Sequence, residues 1–251
     1  MKRNVNFEII YEDAHIAVVN KASGIAVCAD RWDDSVERLD KLLAASLHLE
    51  KIYIVHRIDR DTSGLVIFAK DSETHKKLSL LFEANKIKKR YIAAVQGRPA
   101  WKEIDCDLPL VPDGNKKHLT IIDKYQGKKS LTRFRLLGTA GNYSIVEAIP
   151  ETGRTHQIRV HLSALNHAIV CDPLYGNGKS VFLSAIKPRW RGDTTEERPL
   201  LSRLGLHAAE LIIPKYCGTG DDMLFKAPLH KDMAALVNQM EKCSGMAFNA
   251  G

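Results

Sequence analysis

Apolar residues crowd positions 7–13 and 16–21 on either side of a polar step, which predicts two short strands, and Ser23 and Gly24 mark the turn that follows. Over 35–49 the spacing changes. Val36, Leu39, Leu42, Leu43 and Leu47 recur at helical intervals, with Ser35 placed to cap the helix they define. A strand over 52–55 comes next, then the apolar stretch from Leu65 to Ala69, then an amphipathic helix over 72–82 with Leu78, Leu81 and Phe82 on one face. The basic run 86–90 leads into a strand over 91–95, closed by Gly97 and Pro99. Strands over 119–123, 130–137 and 143–149 are separated by turn-rich stretches at 112–115 and 139–142. A helix over 155–165 follows the turn at Thr152 and Gly153, and a late strand spans 206–214. Segment 176–203 carries charges, Gly and Pro without periodicity and is expected to be a surface excursion. Many strands with few helices between them predict an α+β fold on a mixed, largely antiparallel sheet.

Composition narrows the class. A chain of 251 residues can bury a sizeable core, and 45% hydrophobic with 27% charged residues is ordinary for a globular protein. No apolar run approaches the roughly 18 to 20 residues that span a bilayer, and the N-terminus lacks the apolar stretch of a secretory signal, so no membrane association and a cytoplasmic location are expected. There is no internal repeat, low-complexity tract or linker, which favours one continuous domain over 1–251. Cys28, Cys106, Cys171, Cys217 and Cys243 are odd in number and widely spread, as free and mostly buried thiols would be. A net charge of +7 suits a polyanionic partner such as RNA, although charge alone does not single one out.

The chemistry concentrates in the run 56–70. It places Asp59 between Arg57 and Arg60 in a tight turn, followed by Thr62, Ser63 and Gly64, that feeds an apolar strand. Cations beside a carboxylate favour its ionised, nucleophilic form. The fragment Arg-x-Asp-x-x-Thr-Ser-Gly before a hydrophobic strand resembles the signature of the RluA-type pseudouridine synthases. Three further stretches fit the same family in the same order. The first runs from Tyr11 to Gly24, with Ala22 where a proline is common. The second, 89–97, resembles the family's tyrosine motif, and the third, from Glu151 to Gly176, its arginine motif.

The resemblance covers roughly 7–235. It implies a stand-alone pseudouridine synthase fold with helices flanking the sheet, a central RNA-binding cleft and no appended RNA-binding module. It also implies isomerisation of a specific uridine in structured ribosomal or transfer RNA, with no cofactor, by a monomer. Asp59 would be the nucleophile, Tyr91 would stack on the target uracil, and Arg159 would pair with the aspartate. Arg57 would help to displace the target base, a task suited to a planar cation. Arg60, Lys88, Lys89, Arg90 and Arg154 are candidate RNA contacts.

Plainer readings stand beside these. Asp59 could be a turn residue, Arg57 a surface partner of Asp61, Tyr91 a core residue, and the run 86–90 a solvated helix end. His156, His161 and His167 have no acidic or cysteine ligand at a standard spacing, so structural roles are expected and no metal site is. Gly178, Lys179 and Ser180 resemble the end of a phosphate-binding loop, but Pro173 stands where its first glycine should be. In other classes, a non-catalytic RNA-binding or RNA-folding factor would keep the basic surface without needing Asp59, Tyr91 and Arg159. A glycoside hydrolase would need two facing carboxylates, which Asp59 and Asp61 in one turn do not provide.

Overall fold

The computed structural model describes residues 6–29, 37–112, 119–215 and 220–250. The expected cap Ser35, most of the turn at 112–115 and Cys217 lie outside them. The chain divides into two compact units, the first made of Met1–Lys89 with His207–Pro228 and the second of Arg90–Leu206 with Leu229–Gly251.

The first unit is built on β1 (Phe7–Glu12), β2 (Ile16–Lys21), β3 (Tyr53–Ile54), β4 (Ser63–Ala69), β11 (Leu206–Ile213, whose first residue belongs to the second unit) and β12 (Met223–Lys226). β1, β2, β4 and β11 lie side by side, with β3 added to β4 and β12 to β11. β2 and β4 are antiparallel, with Val18 opposite Ile67 and Lys21 opposite Gly64. β4 and β11 are parallel, with His207 opposite Ser63. Every residue of β2 and β4 is buried, which is why 16–19 and 65–69 read as unbroken apolar runs rather than alternating ones. One face of β2 and β4 builds a core from Ile16, Val18, Leu65 and Ile67 with Leu78, Leu211, Ile213 and Phe225. Leu78 comes from α2 (Ser72–Glu83), whose first turn is capped by the Asp71 carboxylate accepting the Thr74 N–H at 2.8 Å. The other described helix is α1 (Leu39–Ser46).

The second unit carries the antiparallel order β5 (Lys88–Gln96, whose first two residues belong to the first unit), β10 (Tyr143–Pro150), β9 (Thr132–Ala140) and β6 (Glu103–Cys106). A separate pair, β7 (Leu110–Pro112) and β8 (Thr120–Ile122), stands beside it. Its core gathers Ala93, Val95, Phe134, Val146 and Ala148 from the sheet with Ile158 and Leu162 from α3 (Gln157–Ala164). α4 (Lys231–Ser244) packs against β9. Beyond it, the Phe248 ring occupies the space beside Gly138, where a Cβ would come within 2.1 Å of the ring.

The mixed sheet with four α-helices among the described residues is the expected α+β class. β6, β7, β12 and α4 lie outside the expected elements. Segment 176–203 is less peripheral than expected: Val181, Ile186 and Leu201 are buried, and Val181 bridges to Leu201. Of the cysteines, Cys106 and Cys171 are buried thiols, Cys28 and Cys243 half-buried ones. Burial pushes the Cys171 thiol up to about 11, so it stays protonated and inert.

Candidate active site

Asp59 sits in the turn that enters β4, and the turn is closed by the Thr62 N–H donating to the Asp59 carbonyl at 3.1 Å. Its position is set by the backbone around it. Lys21, at the end of β2, is fully buried, and its ammonium donates to the carbonyls of Ala22 at 2.9 Å, Ile25 at 2.9 Å and Arg60 at 2.8 Å. A buried ammonium costs several kcal/mol unless its donors are matched, and three carbonyls match the three N–H groups. The same loop returns further bonds: the Gly24 N–H donates to the Arg60 carbonyl at 2.9 Å, Arg60 Nε to the Gly24 carbonyl at 3.1 Å, and the Ser23 hydroxyl to the Asp61 carbonyl at 2.7 Å.

Behind the turn, Gly64 adopts φ +111°, and a Cβ there would lie 2.3 Å from the Ala208 carbonyl oxygen, so only glycine lets β4 start so close to β11. The buried pair Ser63 and His207 ties the same two strands at 3.0 Å. His207 Nε2 faces the Ala227 carbonyl at 3.3 Å, an acceptor, so that nitrogen donates. Ahead of the turn, His56 Nε2 accepts the Ile67 N–H at 3.1 Å and the ring stacks on Phe82. Burial, with the Lys89 charge adding to it, pushes His56 down to about 3 and keeps it neutral.

Arg57 is exposed and, among the described residues, has no hydrogen-bond or ion-pair partner, so its guanidinium is not committed to Asp61. Lys88 is exposed and Lys89 half-buried, and both belong to β5 rather than to a helix end. Arg90 is engaged inside the second unit: its Nε donates to Glu147 at 2.5 Å, and Glu147 also accepts from Arg135 at 3.0 Å. Burial raises the Glu147 carboxyl, but the two guanidinium groups outweigh it and hold the carboxyl below its usual range. Half-buried Tyr91 lies on β5 opposite Ala148 and packs against the core that includes Ile158.

Arg159 projects from the first turn of α3. That helix is pinned by Gln157, whose Oε1 accepts from the Thr152 hydroxyl at 2.8 Å and the Arg154 N–H at 3.0 Å. Gln157 Nε2 donates to Thr132 Oγ1 at 2.9 Å, and Thr132 meets His161 Nδ1 at 3.0 Å. His161 Nε2 closes the chain on the Leu108 carbonyl at 3.0 Å. His167 Nδ1 meets the Gln96 carbonyl at 3.0 Å and His156 Nδ1 meets the Tyr175 hydroxyl at 2.9 Å, so all three motif histidines have structural partners. Arg154 is exposed and rests on the Lys129 carbonyl at 3.3 Å.

Arg159 Nε and Nη2 grip Asp172 at 2.8 and 2.9 Å, a fork that no local motif announces. Burial raises the Asp172 carboxyl, but Arg159 and the Leu174 and Tyr175 amides more than offset it, so the carboxyl stays ionised.

Asp59, placed in the first unit, therefore offers a carboxylate on a rigid turn, and the second unit offers an aromatic ring and a buried, oriented cation. The fold that carries them is that of an RNA-modifying isomerase: a human structure titled RNA Pseudouridylate Synthase Domain Containing 1 matches with a TM-score of 0.71 at 25% identity, covering 95% of this chain and 87% of its own. Residues 15–164 match the family described as RNA pseudouridylate synthase, and the chain belongs to that family. It is an isomerase acting on RNA. Among curated relatives, the Zymomonas mobilis ribosomal large subunit pseudouridine synthase D is 34% identical over 95% of this chain and 74% of its own length. The Buchnera aphidicola ribosomal large subunit pseudouridine synthase C is 37% identical, over 94% and 71%. The Vibrio cholerae dual-specificity RNA pseudouridine synthase RluA is 34% identical, over 81% and 76%. No described helix is long and apolar enough to cross a membrane.

Proposed function

We propose that this chain converts a specific uridine in structured RNA to pseudouridine with Asp59 as the nucleophile and Tyr91 and Arg159 as its partners in the reaction. The observation that carries the reading is the Asp59 turn, held by a buried lysine and lying within the family-matched stretch. A carboxylate on so fixed a backbone loses little entropy when it meets its target. The reaction is internal to the nucleotide: the nitrogen-glycoside bond breaks, the uracil turns while held, and a ring carbon rejoins the sugar, so no external cofactor is consumed. The target base must leave its stack at a cost of a few kcal/mol, which favours a loop or distorted-helix uridine. Arg57, exposed and unpaired among the described residues, fills the gap that the base leaves.

Arg60, Lys88, Lys89 and Arg154 hold phosphates, with the protein acting as a monomer in the cytoplasm. Arg90, already paired with Glu147, contributes least. The relatives named for the large ribosomal subunit favour ribosomal RNA over transfer RNA as the substrate. Pseudouridine mapping in total RNA from a deletion strain tests this. One ribosomal site should disappear and return with the wild-type gene but not with Asp59→Asn. Loss confined to transfer RNA would reassign the substrate, and an unchanged map would remove the assignment.

A further inference from the structure

Arg159 is only 3% exposed, and a cation so deeply placed can act on a reaction only if its plane is held in one direction. The bidentate grip of Asp172 sets two of its N–H vectors, and the Tyr175 ring lies 5.2 Å from the guanidinium carbon and sets the face. Each anchor is itself anchored. Asp172, fully buried, accepts the Leu174 N–H at 2.9 Å and the Tyr175 N–H at 3.2 Å on the oxygen that Arg159 Nη2 uses. The Tyr175 oxygen accepts the Thr120 N–H at 2.8 Å and meets His156 Nδ1 at 2.9 Å. His156, in the left-handed region at φ 54°, caps the helix that bears Arg159. The network therefore leaves the helix at His156, passes through Tyr175 and returns to Arg159 one turn later.

We propose that Asp172 and Tyr175 are positioning residues for Arg159, fixing the direction of its guanidinium for uridine isomerisation. This rests on the reading that Arg159 serves the reaction. A buried ion pair kept only for stability could be replaced by apolar side chains with little loss. A pair that aims a cation cannot, because a misplacement of about 1 Å near the reacting atoms costs on the order of a hundredfold in rate.

The test measures single-turnover rate and RNA affinity for Arg159→Ala, Asp172→Asn, Tyr175→Phe and Tyr175→Leu. Asp172→Asn should lose about a hundredfold in rate with RNA affinity within threefold. Tyr175→Leu should lose about tenfold, and Tyr175→Phe, which keeps the ring, should recover most of that. Since Asp172→Asn could fail to fold, guanidinium rescue supplies a second readout. Added guanidinium should restore part of the activity of Arg159→Ala while Asp172 is intact, and none when Arg159→Ala is combined with Asp172→Leu, whose apolar side chain leaves no buried charge. An inactive Arg159→Ala together with near-normal Asp172→Asn and Tyr175→Leu would overturn the positioning role alone. So would equal rescue with and without Asp172. An active Arg159→Ala would overturn the reading of Arg159 and this proposal with it.

Discussion

The turn that carries Asp59 and the helix that carries Arg159 are held by opposite means. Around Asp59 the fold grips backbone: the Lys21 ammonium gathers the carbonyls of Ala22, Ile25 and Arg60, and the Gly24 N–H adds a fourth bond to the same segment. Around Arg159 it grips the side chain itself, through Asp172 and the Tyr175 ring. The difference follows from the side chains. A short aspartate is placed once its Cα is placed, whereas a long arginine has several torsions that a fixed backbone leaves open. Removing the proposed nucleophile at the first site should therefore abolish chemistry and spare the fold, and loosening its backbone anchor should cost stability.

The largest expected effect is that of Asp59→Asn. The amide keeps the shape and loses the nucleophilic charge, so isomerisation should fall below detection while RNA affinity stays within about tenfold, roughly 1.4 kcal/mol. Kinetics and filter binding on one preparation, with deamidation excluded, check it. Lys21→Met comes next. The carbonyls of Ala22 and Ile25 lose the ammonium at about 1 kcal/mol or more each while the Arg60 carbonyl keeps the Gly24 N–H, so a stability loss of about 2 kcal/mol is expected, or a Tm lower by roughly 4 to 8 °C. An unchanged Tm by calorimetry would mean that the turn is held by something other than Lys21.

His56 gives a pH-dependent test of the same region. Its value in the fold, about 3, lies below the ordinary 6.5, so the unfolded chain takes the proton first as pH falls. The stability it contributes is present above about 6.5 and is lost as pH drops toward 3, at about 1.4 kcal/mol per pH unit inside that window. Between pH 6.5 and 5 the wild type should lose about 2 kcal/mol more than His56→Gln, read from urea midpoints. Parallel curves for the two proteins would place the proton elsewhere.

The smallest effect is electrostatic. Neutralising Lys88 and Lys89 together should flatten the dependence of log RNA affinity on log salt by about 1.4, at roughly 0.7 per phosphate contact for single strands. The rate at saturating RNA should change far less. An unchanged slope would put the RNA track elsewhere, and a collapsed saturated rate would make these lysines part of the active site.

Local pattern carried the first unit well. The spacing over 72–82 and the apolar runs at 16–21 and 65–69 match α2, β2 and β4, because both faces of the strands are covered and the helix has one apolar stripe. α4 lay outside the expected elements even though Met233, Leu236, Val237 and Met240 recur at helical spacing and are buried, and Gly245 closes the helix at φ 72°. The strands β6, β7 and β12, four residues or fewer, are too short for periodicity to register. The turn that carries Asp59 was readable because its chemistry is local. Asp172 was not, since it meets Arg159 from 13 positions away across a loop. Nor was the pairing of Arg90 with Glu147, which is 57 positions distant.

The central claim is that Asp59 drives the exchange of a nitrogen-glycoside for a carbon-glycoside bond. Its most direct measurement is tritium release from RNA labelled at the uracil carbon that becomes the new attachment point. Purified wild-type protein should release tritium to water in step with pseudouridine formed, and Asp59→Asn should release none. Free uracil, or RNA binding without tritium release, would contradict the account.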